Sequence, residues 1–381
     1  MAQTMNGDKK ITAAGAVLVI LAIACAVFLC TNTRIDPAVR AAYEKQAQPV
    51  NQNGDFALFL QMAGVQETTT TPEKPSGAVP FGLMLGAAEL SGLLLFCFRL
   101  PRSKRFAASL AGGLSLLLGF IFARLVFWAC NASFYLGLYS DPLSLFRVRD
   151  GGLCMTGALL GAGLGCWLAS RILRDPALSF PALADAMAPG AVLFIACERC
   201  HEWVLLKQNY GLSAAAEGFL TARSDYGPVL NTARISSLAA CLILAAVMLI
   251  RCRKAGSRGI LFLLLYGTIQ VLLESLRQDL HMLWGFVHIQ QLTAFLAVFA
   301  VMIIMAVPQH RTVRTVIISL AAAGVFIFLE FALDGRIRPP FAFMEQNVKL
   351  CWYIVFGIAL AAYLVYGLLL FRKYRKDIPE Q

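Results

Sequence analysis

The stretch VHIQQLTAFLAVFAVMIIMAV (residues 287–307), followed by PQHRTV (308–313) and RTVIISLAAAGVFIFLEFAL (314–333), decides the fold class. Each flanking run is about 20 mostly apolar residues, enough helix to cross a hydrocarbon core of about 30 Å. Similar runs lie upstream at 259–277, 234–251, 182–206, 154–170, 106–130, 80–100 and 11–30, and downstream at 350–371. Each is expected to be helical, because an isolated strand leaves backbone groups unpaired in lipid. The composition agrees: 59% of residues are apolar and only 14% charged, against about a quarter charged in soluble domains. The expected fold is all-α, a polytopic integral membrane helical bundle of about ten transmembrane helices. Runs 182–206 and 259–277 carry Asp185, Glu198, Arg199, Glu202 and Glu274, which admits re-entrant or interfacial helices as the alternative there.

The net charge of +11 is placed in a pattern that excludes a nucleic-acid reading. Lys9 and Lys10 precede the first run; Arg99, Arg102, Lys104 and Arg105 follow the second; Arg171 and Arg174 follow the fourth. Arg251, Arg253, Lys254 and Arg258 follow the sixth, Arg311 and Arg314 the eighth, and Arg372, Lys373, Arg375 and Lys376 the tenth. These fall on alternate sides of ten spans, as one membrane face requires, so both termini are expected in the cytoplasm. The basic surplus then meets anionic lipid headgroups. Residues 1–31 read as an uncleaved signal-anchor helix, its apolar run being longer than a signal peptide's. Residues 32–79, with the Thr68–Thr71 patch, read as an extracytoplasmic spacer, 80–307 as a seven-helix core, and 308–381 as a two-helix extension.

Most of the eleven cysteines sit in apolar runs, where Cys acts as a small apolar residue and not as a disulfide framework. Cys197-Glu198-Arg199-Cys200-His201 matches the C-x-x-C-H haem pattern, but an apolar helix leaves no room for a macrocycle. No metal or cofactor is expected. An arginine at the bilayer centre costs about 2.5–3.5 kcal/mol even on a lenient scale, so Arg124 and Arg199 are expected to face the bundle interior with anionic partners. Glu198, His201 and Glu202 share one helix face by their three- and four-residue spacing. Glu274, Arg277 and Gln278 form a second polar group. Internal ion pairs that fix helix packing are one reading of these groups; a cavity for a lipid headgroup or substrate is the other.

Several segments carry a family resemblance. Asp141-Pro142-Leu143-Ser144-Leu145-Phe146-Arg147-Val148-Arg149-Asp150-Gly151-Gly152 resembles a DPLxLFRVxDGG segment of the prolipoprotein diacylglyceryl transferases. In order around it, Phe81-Gly82-Leu83-Met84 is similar to the start of that family's first helix. Gly119 to Arg124 resembles the helix end before its external arm. Ala188-Pro189 and Ala196-Cys197-Glu198-Arg199 fall at its AP and GRxGN elements, and Gly267 to Gln278 at its YGxxRxxxExxRQPD helix. The resemblance covers about residues 80–307, whose seven helices are spans two to eight.

What the resemblance implies is a reaction: transfer of the diacylglyceryl group of phosphatidylglycerol, or a related anionic phospholipid, to the thiol of a lipobox cysteine in a prolipoprotein. A thioether forms and glycerol phosphate leaves, in a bacterial cytoplasmic membrane. Such chemistry needs lateral lipid entry, a guanidinium fork on the phosphate and a base for a thiol whose free pKa is about 8.5. The resemblance places Arg199, Arg124, Arg277, Glu274 and Gln270 at substrate and phosphate binding. Several family positions differ. Thr156 stands at the family's histidine, its proposed base, and threonine is no base near neutral pH. Phe81 replaces a tyrosine, Glu198 and Glu202 replace the glycine and asparagine around Arg199, and Gln270 replaces a second arginine. His201 and Glu202, within a turn of Arg199, are the replacement bases. Alternatives are a catalytically inactive relative that binds lipid or prolipoprotein, and a transporter, against which the lack of visible duplicated halves argues.

Overall fold

A computed structural model of the chain describes residues 14–24, 27, 78–132, 136, 142–146, 153–201, 211–212, 217–224, 227–277, 282–284, 287–335, 337 and 348–376. Ten α-helices lie among them, each on one of the ten apolar runs. They are α1 (Ala14–Ala24), α2 (Ala78–Arg99), α3 (Arg105–Cys130), α4 (Met155–Leu173), α5 (Phe180–His201), α6 (Thr232–Leu249), α7 (Ser257–Ser275), α8 (Ile289–Ala306), α9 (Thr312–Leu333) and α10 (Val348–Tyr374). Eight of them, α3 to α10, are long and apolar enough over their described residues to cross a membrane. Two hairpins interrupt the series, β1 (Thr221–Ser224) with β2 (Gly227–Leu230) and β3 (Leu283–Trp284) with β4 (Val287–His288), both antiparallel. Helices α5 and α7 are continuous and, despite their acidic residues, long and apolar enough to cross. Large apolar side chains stand exposed along the outer faces, among them Phe98, Leu242, Leu249, Val313 and Ile358. A soluble monomer does not leave so much apolar surface in water; this is a multi-pass membrane protein.

The chain divides into two compact units, residues 1–242 with 278–280, and residues 243–277 with 281–381. In the first, helices meet through glycine. Gly157, Gly161 and Gly165 recur every four residues on one face of α4 and lie on the backbone of α3: a Cβ on Gly165 would sit 2.6 Å from the Cα of Ser115, and one on Gly161 would strike the Leu118 carbonyl. Lipid tails are as apolar as leucine, so burial alone does not drive helices together, and close backbone approach supplies the attraction. Ser115 adds a hydrogen bond from Oγ to the Ala162 carbonyl at 3.0 Å. Gly92 and Gly190 join α2 to α5 in the same way, a Cβ on Gly92 falling 2.7 Å from the Gly190 oxygen. At one end, Phe96, Leu100, Ala108, Cys166, Leu178 and Leu183 form a buried cluster. Beside it the two connections are tied by an ion pair between Lys104 and Asp175. The Lys104 ammonium and the backbone N–H of Ala177 hold the Asp175 carboxyl below the usual range.

In the second unit α7 is central: thirteen of its 19 residues are buried, the signature of a helix enclosed on all sides. Helices α8 and α10 flank it, and α9 packs on both of these. Gly267 fits α7 against Val298 of α8, and Gly367 fits α10 against Met302 and Leu264. Phe295, Phe326, Phe356 and Tyr363 stack edge-on and face-on between α8, α9 and α10. Helices α9 and α10 run antiparallel with hydroxyl contacts along their seam, Thr315 with Tyr366 at 2.8 Å and Tyr363 to Ser319 at 2.9 Å.

Candidate functional site

Buried charged residues lie in both units. In the first, Arg124 lies less than two turns from the end of α3 and is only 4% exposed. Its Nε donates to the carbonyl of Leu145 at 2.9 Å. This fastens the 3-10 turn Pro142–Phe146, the described part of the DPLxLF segment, over α3. Leu143 and Phe146 of that turn point outward. Cys154 caps α4, its sulfur accepting from the Gly157 N–H at 3.4 Å, and its own N–H donates to Ala123. Gly157 abuts Ala123, which brings the backbone of Thr156 to the level of Arg124. The position where a base was sought thus carries a hydroxyl at the start of α4, on the turn packed against the backbone of Phe122 and Ala123.

Arg199, two residues before the end of α5, is 9% exposed, and its Nε lies 3.3 Å from the Glu198 carboxylate. The turn that carries it is held from two sides. Ser237 of α6 donates to the Ala196 carbonyl at 3.0 Å, and Ser91 of α2 lies 4.0 Å from the Cys197 sulfur. The expected interior placement of both arginines is therefore observed, with an acidic partner at Arg199. His201 is the last residue of α5, but its side chain lies outside the described residues, as does Glu202 entirely. So do Phe81's side chain, Gln278 and residues 147–152.

In the second unit, Gln270, Glu274 and Arg277 come together at the end of α7. Gln270 Nε2 donates to Glu274 Oε1 at 2.5 Å, and Arg277 Nη1 lies 3.8 Å from the same oxygen. Glu274 is 1% exposed, and its Oε2 has no hydrogen-bond partner among the described residues. A buried carboxylate oxygen without a donor is costly. On α8, Gln291 Nε2 donates both to the Val271 carbonyl at 3.2 Å and to Glu330 Oε1 at 2.5 Å. The Tyr353 hydroxyl donates to the Ser275 carbonyl at 2.6 Å. Sequence reasoning passed over Glu330 and Tyr353, and also Glu89 of α2, whose Oε2 is buried without a described partner. The signal was available for the two glutamates: each is a carboxyl inside an apolar run, the feature that singled out Glu274.

Comparison with known proteins bears directly on these residues. Residues 78–307 match the family described as prolipoprotein diacylglyceryl transferase. The phosphatidylglycerol–prolipoprotein diacylglyceryl transferase of Frankia casuarinae is 28% identical over 170 residues, 42% of this chain and 41% of that protein. The transferase of the same name numbered 2 in Streptomyces coelicolor is 35% identical over 85 residues, 22% of this chain and 26% of its own length, and that of Frankia alni is 34% identical over 85 residues, 22% of each. The matched segments thus span less than half the length of these relatives. The family match, however, takes in α2 to α8 and every residue from Arg124 to Gln291 described above, and on that breadth the chain belongs to the prolipoprotein diacylglyceryl transferase family.

Proposed function

We propose that this protein is a divergent phosphatidylglycerol–prolipoprotein diacylglyceryl transferase of a bacterial cytoplasmic membrane, with both termini on the cytoplasmic side. The lipobox thiolate attacks the diacylglyceryl carbon that carries the phosphate. A C–S bond forms, the C–O bond breaks, and the electron pair leaves on the phosphate oxygen of glycerol phosphate. Arg199 and Arg124 are the phosphate-binding groups, and Gln270, Glu274 and Arg277 of α7 take part in substrate binding. His201 or Glu202 accepts the thiol proton. Residues 80–307 carry the reaction, residues 1–31 anchor the chain, 32–79 form an extracytoplasmic spacer, and 308–381 extend the core. The observation that carries this reading is a pair of arginines, each at least nine-tenths buried, within the stretch that matches the family. Guanidinium placed in apolar surroundings is expensive and marks a site for an anion.

One observation favours a second reading, an inactive relative that binds lipid or prolipoprotein: the family's histidine position is Thr156. The two separate by direct assay of the purified protein in phosphatidylglycerol vesicles with a lipobox peptide, followed by mass spectrometry. A diacylglyceryl mass gain on cysteine, abolished in Arg199→Ala, supports transfer. No gain beside an active family member refutes it and leaves the binding reading.

A further inference from the structure

Helices α9 and α10 lie beyond the stretch that matches the family, yet one of their polar side chains ends on α7 and another ends on an α8 amide that itself braces α7. The Tyr353 hydroxyl of α10 donates to the Ser275 carbonyl at 2.6 Å. Ser275 is the last residue of α7, and the last four carbonyls of a helix have no partner within it. Tyr353 therefore supplies a donor to an end that lipid cannot satisfy. One turn earlier, Gln291 Nε2 is shared between the Val271 carbonyl of α7 and Glu330 Oε1 of α9, so Glu330 fixes the amide that braces α7. These two attachments, at residues 271 and 275, bracket Glu274, which in turn holds Gln270 and Arg277.

Glu330 is 8% exposed and sits in an otherwise apolar helix, where a carboxyl is placed only at a cost that asks for a function. Other hydroxyl contacts of the α9–α10 hairpin, such as Tyr363 to Ser319, stay within the pair. Among the described hydrogen bonds of these two side-chain rows, Tyr353 reaches the polar turn of α7 directly and Glu330 reaches it through Gln291 of α8.

We propose that Glu330 and Tyr353 are positioning residues: the C-terminal helix pair sets the last turn of α7 so that Glu274 and Arg277 are held in their lipid-binding geometry. This rests on the assignment of α7 to substrate binding made above. The test is equilibrium binding of phosphatidylglycerol with a fluorescent acyl chain to the full-length protein in phosphatidylcholine nanodiscs. The thermal midpoint of each variant is recorded alongside. Tyr353→Phe and Glu330→Ala are expected to weaken binding about tenfold. Glu330→Gln, which keeps an acceptor for Gln291, should stay within about threefold of the parent, and Tyr363→Phe should bind like the parent. If Tyr353→Phe binds as the parent does, or only as weakly as its thermal midpoint and that of Tyr363→Phe alike would give, the positioning role is overturned while the lipid site stands. If Arg277→Ala also binds unchanged, the lipid site on α7 is itself wrong, and the positioning role falls with it.

Discussion

The seam between α3 and α4 and the seam between α7 and its neighbours solve one problem by different means. Between α3 and α4, glycines at four-residue spacing bring two backbones into contact, and the attraction is dispersion between close atoms. Around α7 glycines appear singly, Gly267 and Gly367, each mainly against side chains, and amide, carboxylate and hydroxyl groups tie the helices at chosen points. The first device is unforgiving of added volume and indifferent to polarity. The second tolerates volume and depends on each donor finding its acceptor. On the substrate-binding role proposed for α7, the second suits such a site, because its parts are discrete and adjustable.

The contrast breaks most severely at Gly161. Gly161→Val is expected to cost about 3 kcal/mol or more, since its side chain meets the backbone of Leu118 and backbone cannot yield cheaply. Loss of the monodisperse peak in detergent chromatography is the readout, and a normal peak would mean that the α3–α4 seam is not held by close approach. Next in size is Glu274→Ala, which removes the acceptor of Gln270 and the partner of Arg277. About 2 kcal/mol of stability should go, seen as a lower thermal midpoint, while Glu274→Gln should lose less. A small loss in both would say that the α7 cluster is organised for ligand and not for stability.

Smaller still is Tyr363→Phe, which deletes one hydroxyl from the α9–α10 seam. Membrane hydrogen bonds average about 0.6 kcal/mol, so urea or thermal unfolding should shift only slightly. A shift several times larger would place the polar ties on a par with the glycine seam. The smallest effect lies outside the membrane, at Lys104 and Asp175. Partly exposed pairs contribute at most about 1 kcal/mol. Because the folded Asp175 carboxyl is held low, its contribution is present above the ordinary aspartate pKa of about 3.9. It fades as the pH falls through the lower folded value. The midpoint difference between the parent and Lys104→Met should therefore be constant at neutral pH and shrink as acid protonates Asp175; a difference that does not shrink at any acid pH would rule the pair out as its cause.

How far the site could be read in advance differs from residue to residue. Arg124, Arg199 and Glu274 stand out because charge in an apolar run has few permitted explanations, and each is buried as that argument requires. Glu274 and Arg277 were legible as neighbours three apart, grouped then with Gln278, whereas Gln270 entered only through the family resemblance and its bond to Glu274 was seen in the structure. Glu330 carried the same signal as Glu274, but its charged neighbour at helical spacing, Asp334, has the same sign and marks no pair. Tyr353 carried none, as a tyrosine near a helix end is ordinary in a membrane protein. Its partner, the Ser275 carbonyl, is a backbone atom 78 residues away.

The sequence by itself determined the number, length and placement of the helices. The bilayer acts as a uniform apolar solvent of fixed thickness, so a run of about 20 apolar residues is read directly as a span. It also determined which side chains must be sheltered from lipid. Which helices pair was decided only by the tertiary structure. An apolar residue that faces lipid and one that faces a neighbouring helix are chemically alike, so the run of residues does not distinguish them. For the same reason the partners of Gln291 and Ser275, on α9 and α10 beyond the family's own stretch, became visible only once the helices had been packed.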